Sequence, residues 1–172
     1  GQALAVEMDV TDRDSVADAF ETADRALGQV TILINNAGMA STDRSIDLAP
    51  ETWDRVMTTN LTGAWTVAQR AARDMIAAEK PGTIVNVASI AGHMPLAGSA
   101  SYSATKFGLR AFTYALAEEL DDTGVSVSVV SPGPIATDFI LSDIDSVSDI
   151  TFSQAMSTPE QIAELIVACA RD

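Results

Sequence analysis

Apolar residues along this chain fall into two alternating patterns, short runs rich in β-branched side chains and longer stretches with helical spacing. The short runs predict strands at residues 4–10, 31–37, 83–89 and 125–131. The longer stretches predict helices at residues 15–27, 51–79 and 102–121, with a last helix beginning at Pro159 behind a Ser157 or Thr158 cap. Strands that alternate with helices predict right-handed βαβ units, a parallel sheet and the α/β class.

The joints between these elements support the pattern. Gly28, Gly82 and Gly124 each lie between the end of a helix pattern and the start of a strand, where a left-handed C-cap suits glycine. Residues 58–63 (TTNLTG) interrupt the long third stretch, so we expect a kink or two helices there. Residues 138–156 are apolar but irregular, which fits either a substrate lid or a loosely packed surface loop.

Composition narrows the function classes. The chain has 172 residues, 47% of them apolar and 5% aromatic, which predicts one domain over 1–172 with a core of Ala, Val, Ile and Leu. Acidic residues outnumber basic ones by 24 to 10, and the resulting net charge of −14 disfavours binding to nucleic acid or to anionic membrane surfaces. A dinucleotide stays possible, because local backbone donors hold such a ligand.

Cysteine usage and targeting signals complete this picture. Cys169 is the single cysteine, so we expect neither an internal disulfide nor a thiolate metal cluster, and we predict no metal site. No apolar run is long enough to cross a membrane, and no basic-then-apolar leader opens the sequence. A reducing, cytoplasmic setting is the expectation.

Small and polar residues collect at the carboxyl ends of the predicted strands, where open parallel sheets bind ligands. The four ends read Asp-Val-Thr-Asp at 9–12, Asn-Asn-Ala-Gly at 35–38, Ala-Ser-Ile-Ala-Gly at 88–92 and Ser-Pro-Gly-Pro at 131–134. Any one of these clusters is typical of an ordinary turn. Three glycine-containing clusters on one sheet edge favour a ligand crevice, since glycine lets the backbone approach a ligand closely.

Tyr102 and Lys106 are four residues apart, which places both side chains on one face of a helix. An ammonium beside a phenol favours the phenolate, so we expect a lowered pKa for Tyr102 and a role as general acid/base. Ser89 lies thirteen residues earlier at a strand end, where it could bind a substrate oxygen or cap a turn. No Gly-x-Ser-x-Gly elbow is present, and the single histidine, His93, follows Ser89 in a loop, so a serine hydrolase is poorly supported.

In this order and spacing, the motifs resemble those of the short-chain dehydrogenases/reductases. Asn-Asn-Ala-Gly at 35–38, Asn60 in the interrupted helix, Ser89, the Tyr102–Lys106 pair and Pro132-Gly133 followed by Thr137 each look like a family motif. The resemblance runs over essentially the whole chain and implies a Rossmann-like, doubly wound parallel sheet with helices on both faces. It also implies hydride transfer between NAD or NADP and a carbonyl or alcohol carbon.

The resemblance assigns roles residue by residue. Tyr102 would transfer the hydroxyl proton, Ser89 would polarise the substrate oxygen, Lys106 would lower the tyrosine pKa and hold the ribose, and Asn60 would hold a relay water. Around the cofactor it places Asp9, Val10, Asn36, Ala37, Gly38, Tyr102, Lys106, Pro132, Gly133, Ile135 and Thr137. Apart from the resemblance, the residues that follow Ser89 and the apolar residues of 138–156 predict a hydrophobic substrate beside Ser89, with His93, Met94, Pro95, Leu96 and Phe139 as its expected neighbours. For His93, an exposed loop position is the simpler interpretation.

One departure from the family pattern concerns the start of the chain. Members open with a strand, a Gly-rich turn and a helix whose amides bind the pyrophosphate, and no Gly-x-x-x-Gly-x-Gly turn occurs here. We therefore expect a fragment that starts at the third strand, lacks on the order of 50 residues before it, and stops before a final strand. The residue that chooses between NAD and NADP falls in the absent part, so the preference stays open.

Two other function classes are compatible with this fold. A halohydrin lyase of similar fold carries Arg where Lys106 stands, and a catalytically silent binding protein would not need Asn60, Ser89, Tyr102 and Lys106 together. The family also implies a homodimer or homotetramer formed through the helices at 62–79 and 102–121. Small residues on these helices would let two subunits pack closely: Ala64, Ala68, Ala71, Ala111 and Ala115. The same residues could equally face the buried core of a single chain.

Overall fold

A three-stranded parallel sheet organises the computed structural model, which describes residues 1–137 and 155–171. The strands are β1 (Ile32–Asn35), β2 (Gly82–Val87) and β3 (Val125–Val130), in the spatial order β1-β2-β3. Ile32 stands opposite Thr83, and Gly82 stands opposite Val125, so the strands start almost level and their carboxyl ends share one edge. The predicted parallel α/β arrangement is confirmed.

Five α-helices surround this sheet within the described residues. They are α1 (Arg13–Leu27), α2 (Pro50–Met57), α3 (Ala64–Ala77), α4 (Ala100–Glu119) and α5 (Pro159–Cys169), together with short 3₁₀ turns at Ile90–Gly92 and Asp121–Thr123. The predicted interruption of the long helix is a π-helical segment, Thr58–Gly63, that joins α2 to α3. Thr158 caps α5 in a capping box with Gln161, as its sequence position predicted.

The main core lies between one face of the sheet and helices α1, α3 and α4. Its buried residues are Val16, Phe20, Val67, Ala68, Ala71, Ala72, Met75, Ile84 and Val125. Small alanines on α3 let that helix approach the sheet closely, which is how a chain with few aromatic residues reaches dense packing. Ile32, Thr83 and Ser126 are paired across the strands and alternate with the core-facing Ile84; they share a cleft with Ala170 and Arg171, which follow α5, and α5 contacts β3, so helices lie on both faces.

The first predicted strand, at residues 4–10, is wrong. These residues form no strand, and Leu4, Val6 and Met8 are 45%, 36% and 38% exposed. An alternating apolar pattern indicates that successive side chains point to opposite sides. A β-strand also requires a neighbouring strand whose backbone forms hydrogen bonds with it. Among the described residues, this segment pairs with no strand.

The predicted left-handed glycine cap is confirmed at one of the three joints. Gly124 has φ 77° and ψ 9°, whereas Gly28, at φ 87° and ψ 172°, has a positive φ outside the left-handed helical region. At the third joint the positive φ belongs to Glu79, at 53°, and Gly82 instead opens β2. Gly82 is required for a different reason, because a Cβ there would meet the Met75 side chain and lie 3.1 Å from the Thr31 carbonyl oxygen.

The alanines considered for helix contact divide into two groups. Ala64, Ala68 and Ala71 are buried in the core of this chain, whereas Ala111 and Ala115 on α4 are exposed. Of the predicted lid at 138–156, residues 138–154 lie outside the described part of the chain. Over 1–137 and 155–171, none of the helices is both long and apolar enough to cross a membrane.

Candidate active site

A cavity of about 860 Å³ opens at the carboxyl ends of the three strands. β1 contributes the segment that follows it, including Asn36 and Gly38, and β2 contributes Val87 through Ile90. β3 is followed by Pro132, Gly133, Pro134, Ile135 and Thr137 on the third side, and α4 contributes Tyr102 and Lys106. The crevice predicted from the strand-end clusters is therefore present.

Lys106 is held beneath Tyr102 by the floor of the cavity. Its side chain is buried at 4% exposure, and Nζ donates a hydrogen bond to the Val87 carbonyl oxygen at 2.9 Å. Nζ lies 5.6 Å from the centre of the Tyr102 ring, as expected for residues one turn apart on α4. Burial lowers the pKa of Lys106 to about 8, because the charged ammonium loses water.

The pKa of Tyr102 moves in the direction opposite to our prediction. Burial raises it above its ordinary value of 10.0, and a hydrogen bond with Ser89 opposes this rise only in part. The lowering expected from Lys106 does not prevail, because loss of water around the phenol disfavours the phenolate. In this structure the Tyr102 side chain is therefore a phenol at neutral pH.

Ser89 links the strand end to the helix. It follows β2 in an extended conformation and begins the Ile90–Gly92 turn, and its Oγ accepts a hydrogen bond from the Ala91 amide at 3.1 Å. The same side chain hydrogen-bonds Tyr102. Ser89 and Tyr102 thus present two hydroxyl groups side by side to the cavity, where both could contact one oxygen atom of a ligand.

Asn60 lies behind the cavity wall in the π-helical segment, at 1% exposure. Its Oδ1 accepts from the Met39 amide at 2.8 Å, and its Nδ2 donates to the Met39 carbonyl oxygen at 2.8 Å and to Thr105 Oγ1 at 3.1 Å. Both amide hydrogens are therefore used by protein groups, and a relay water would have to bind through an oxygen of Asn60. The widened π turn places this residue against two other elements.

The cavity brings together many of the predicted site residues but not all of them. It is lined by Asn36, Gly38, Ser89, Tyr102, Lys106, Pro132, Gly133, Ile135 and Thr137, and not by Asp9, Val10, Ala37, His93 or Met94. His93 is exposed, and Phe139 lies outside the described residues. Val10 Cγ2 instead lies close to Gly63, where an added Cβ would approach it to 2.8 Å.

Asp9 is exposed, and its carboxylate is turned toward its own loop. Oδ1 accepts from the Thr11 amide at 2.8 Å and from Thr11 Oγ1 at 2.7 Å. These hydrogen bonds hold the pKa of the Asp9 carboxyl below its ordinary value, because they stabilise the charged form.

Sequence reasoning missed most of the second wall of the cavity. This wall contains the expected Leu96 and, beyond it, Met39, Ala40, Ser41, Thr42, Asp43, Thr52, Arg55 and Ser99. Most of them lie in loops without regular spacing, so no periodicity marked them. The exception is Thr52 with Arg55, whose three-residue spacing on a predicted helix indicates a shared face. No group of three or more metal-binding side chains is arranged to hold an ion in the described parts of the chain.

Comparison with known proteins gives a consistent family. A family model described as short chain dehydrogenase matches residues 1–145. The chain is 37% identical over 166 residues to an acetoacetyl-CoA reductase of Cupriavidus necator, covering 94% of this chain and 67% of that protein. It is 37% identical over 138 residues to a 3-oxoacyl-[acyl-carrier-protein] reductase of Synechocystis, covering 80% of this chain and 56% of that protein.

A solved structure supports the same relationship. The crystal structure of a short-chain type dehydrogenase/reductase from Mycobacterium marinum superposes with a TM-score of 0.92 at 31% identity, covering 99% of this chain and 69% of that one. The chain therefore spans between about half and two thirds of the length of the relatives it matches.

Proposed function

We propose a function from the family of this chain, which belongs to the short-chain dehydrogenases. The chain carries the catalytic part of an NAD(P)-dependent oxidoreductase that acts on a carbonyl or an alcohol. The observation that carries this proposal is the grouping of Ser89, Tyr102 and Lys106 on one wall of a single cavity. The named relatives at 37% identity are reductases of 3-oxoacyl thioesters.

The cavity has features that fit a nicotinamide nucleotide. Its volume of about 860 Å³ lies within the range of ligand pockets. At Gly38 an added Cβ would lie 3.4 Å from Asn60 Oδ1 and 3.7 Å from Lys106 Nζ, so the glycine keeps the floor of the cavity open. Gly38, Asn36 and the residues from Pro132 to Thr137 would hold the nucleotide, which supplies hydride transfer at its C4 atom. Asp9 and Val10 stay assigned to the adenine end by family resemblance.

The chain's own residues would manage the proton and orient the substrate. Tyr102 is a phenol at neutral pH, so it can donate its proton to the oxygen of a carbonyl that is being reduced. Ser89 would donate a second hydrogen bond to that oxygen and stabilise the charge that develops on it. Lys106, fixed by Val87, would hold a ribose hydroxyl and support the tyrosinate that remains after proton transfer.

The lining favours a substrate with an apolar portion. Met39, Ile90, Leu96, Pro134 and Ile135 supply apolar surface around the reactive hydroxyls. Such side chains would bury a hydrocarbon segment beside the carbonyl. The proposed substrate is therefore hydrophobic, and of the residues expected beside it after Ser89, Leu96 lines the cavity whereas His93 and Met94 do not.

We also propose that the protein works as a homodimer or homotetramer in the cytoplasm. The exposed face of α4 supports self-association, because Phe107 and Tyr114 are 40% and 55% exposed beside Ala111 and Ala115. An Ala111→Arg change would then lower the molar mass measured by light scattering. An unchanged mass would contradict an α4-mediated oligomer.

Two measurements test the proposed reaction. Both are made on this chain and on the full-length protein that contains it. The first is titration with NADH and NADPH, followed by energy transfer from Trp53 and Trp65. The second is turnover of simple ketones in Tyr102→Phe, which should fall by about 10²-fold or more while nucleotide binding is retained. Tyr114→Phe is the matched control and should keep turnover.

The rival functions predict different results. Wild-type turnover in Tyr102→Phe would contradict the proposed mechanism. Nucleotide binding with no turnover of any carbonyl or alcohol would favour a silent binding protein. Release of halide from a halohydrin without nicotinamide would favour the lyase.

A further inference from the structure

We propose that Arg55 binds an anionic group, a carboxylate or a phosphate, at the end of the substrate remote from its reacting carbonyl. The inference rests on the proposed function, since it assigns the second wall of the same cavity to substrate. It implies a substrate with two ends, a carbonyl at Ser89 and Tyr102 and a negative charge at α2, with an apolar segment between them.

The placement of Arg55 follows from how α2 is anchored. Thr52 and Arg55 both line the cavity and are three residues apart, so they share one face of α2. Val56 is fully buried at 0% exposure and fixes the rotation of the helix. α2 also contacts α4, the helix that carries Tyr102, so its position is tied to the reactive hydroxyls.

Of the arginines that the structure describes, Arg55 is the one that lines the cavity. Arg70 bonds to Asp74 at 2.6 Å, and Arg110 donates to the Gly92 carbonyl oxygen at 2.6 Å. Within residues 1–137 and 155–171, the exposed Arg55 side chain forms neither a hydrogen bond nor an ion pair, a property it shares with Arg73 outside the cavity. A guanidinium has five donors and matches the oxygens of a carboxylate or phosphate in a two-pronged geometry, so Arg55 retains its full capacity for such a group.

The other charges of the cavity leave this position as its anion site. Lys106 Nζ lies on the floor beside Tyr102, donates to the Val87 carbonyl oxygen, and in the proposed function holds a ribose hydroxyl of the nucleotide. Asp43, on the same wall as Arg55, accepts from Ser41 Oγ at 3.0 Å and forms no ion pair with Arg55 within 4.0 Å. Since the chain has a net charge of −14, an anionic substrate needs a local cation to offset the general repulsion.

A structural role for Arg55 makes a different prediction. The residue lies in the last turn of α2, where a cation is favourable to the helix dipole. That role would change the stability of α2 but would not discriminate between charged and neutral ligands. The test therefore compares ligands that differ only in charge.

The experiment measures dissociation constants on this chain by ligand-observed NMR. The probes are methyl ketones with a terminal carboxylate, from acetoacetate through its longer homologues, each beside its methyl ester. Dihydroxyacetone phosphate beside dihydroxyacetone separates phosphate from carboxylate. The proteins are wild type, Arg55→Gln and the control Arg73→Gln, an exposed α3 position outside the cavity. Circular dichroism checks that each variant is folded.

We expect the anionic probe of best-matched length to bind about tenfold more tightly than its neutral partner. The preference should disappear in Arg55→Gln, persist in Arg73→Gln and weaken as salt is added. Equal binding of charged and neutral probes, a preference that survives in Arg55→Gln, or binding of neither probe at any length would each overturn the inference.

Turnover separates this inference from the proposed function. Reduction of the neutral esters that depends on Tyr102, without any preference for anions, would remove the role of Arg55 and leave the reaction standing. An anion preference that depends on Arg55, with no turnover of any ketone, would instead contradict the reaction and leave Arg55 as a binding residue.

Discussion

Gly92 lies directly against the backbone of Lys106. A Cβ added to Gly92 would come within 2.6 Å of the Lys106 carbonyl oxygen and 2.9 Å of its carbonyl carbon. Arg110, one turn further along α4, donates from Nη1 to the Gly92 carbonyl oxygen at 2.6 Å. The turn that follows Ser89 is therefore held against the helix that carries Tyr102 and Lys106, and this contact sets the distance between the hydroxyls of Ser89 and Tyr102.

Gly92→Ala should separate these two elements. Because the obstructing atoms are backbone, the structure cannot relieve the overlap by rotating a side chain, and we expect a loss of about 1–3 kcal/mol in the free energy of unfolding. Chemical denaturation measures this loss, and ketone turnover should fall with it. In the matched control Gly108→Ala, the added Cβ meets only the flexible Leu61 side chain, with Cδ2 at 3.1 Å; a small shift of this side chain together with the gain in helix propensity should make the loss of stability clearly smaller than for Gly92→Ala. Equal stability of Gly92→Ala and wild type would contradict this account.

Lys106 should make stability rise with pH above neutrality. Its pKa is about 8 in the folded chain and near its ordinary 10.5 when unfolded, so between these values the unfolded chain binds more protons. The free energy of unfolding should then increase by up to about 1.4 kcal/mol per pH unit from pH 8 toward 10, relative to Lys106→Met. Lys106→Met retains Tyr102, so ionisation of this phenol in the unfolded chain as pH approaches 10 affects both proteins and is removed by the comparison. The only other lysine, Lys80, is exposed, and Lys80→Met should retain the rise.

A buried polar chain joins β1, β2, α3 and α4. Asn35 Nδ2 donates to Asn86 Oδ1 at 2.9 Å and to the Ala64 carbonyl oxygen at 3.0 Å, and Asn86 Nδ2 donates to Thr113 Oγ1 at 2.9 Å. Asn86→Leu should lower the free energy of unfolding by about 2–4 kcal/mol, because it removes the hydrogen bonds that the buried Asn35 amide and Thr113 hydroxyl form with Asn86.

A double-mutant cycle tests whether this chain acts as a unit. Thr113→Val alone removes the hydroxyl that accepts the hydrogen bond from Asn86 Nδ2. In the Asn86→Leu background that hydroxyl has already lost this hydrogen bond, so removing it costs less. We therefore expect the double variant to be more stable than the sum of the two single losses predicts. Strict additivity of the free energies would show that the contacts act independently.

Asn60→Ala should destabilise the chain and loosen the floor of the cavity. The change leaves the half-buried Met39 amide and carbonyl without their partner; a fully buried group left without a hydrogen bond costs about 1–3 kcal/mol, so we expect a loss toward the lower end of that range. Hydrogen exchange at the Met39 amide should accelerate more than the global loss of stability explains. Thr62→Ala, an exposed position in the same π segment, should stay within about 0.5 kcal/mol of wild type. Unchanged exchange at Met39 in Asn60→Ala would argue against this role.

Local chemistry made much of the fold predictable. The cap of α5 at Thr158, the interruption at Thr58–Gly63 and three of the four predicted strands depend on residues close together in sequence, and the structure has them within a few positions. The failed strand at 4–10 has the right side-chain pattern, but strand formation depends on a distant neighbour. The same holds for Gly82, whose close approach to Met75 has no local signature.

In the candidate site, too, some features were predictable from local sequence and others were set only by tertiary structure. The spacing of Tyr102 and Lys106 by itself placed both on one helix face, and the strand-end clusters placed the crevice, because helix and sheet periodicities are local properties. Tertiary structure alone decided the direction of the Tyr102 pKa, since desolvation depends on every group packed around the phenol. It also decided that Arg55 on α2 lines the cavity while His93 in its loop is exposed, because the position of a helix or loop against the rest of the fold follows from long-range packing that its own sequence does not encode.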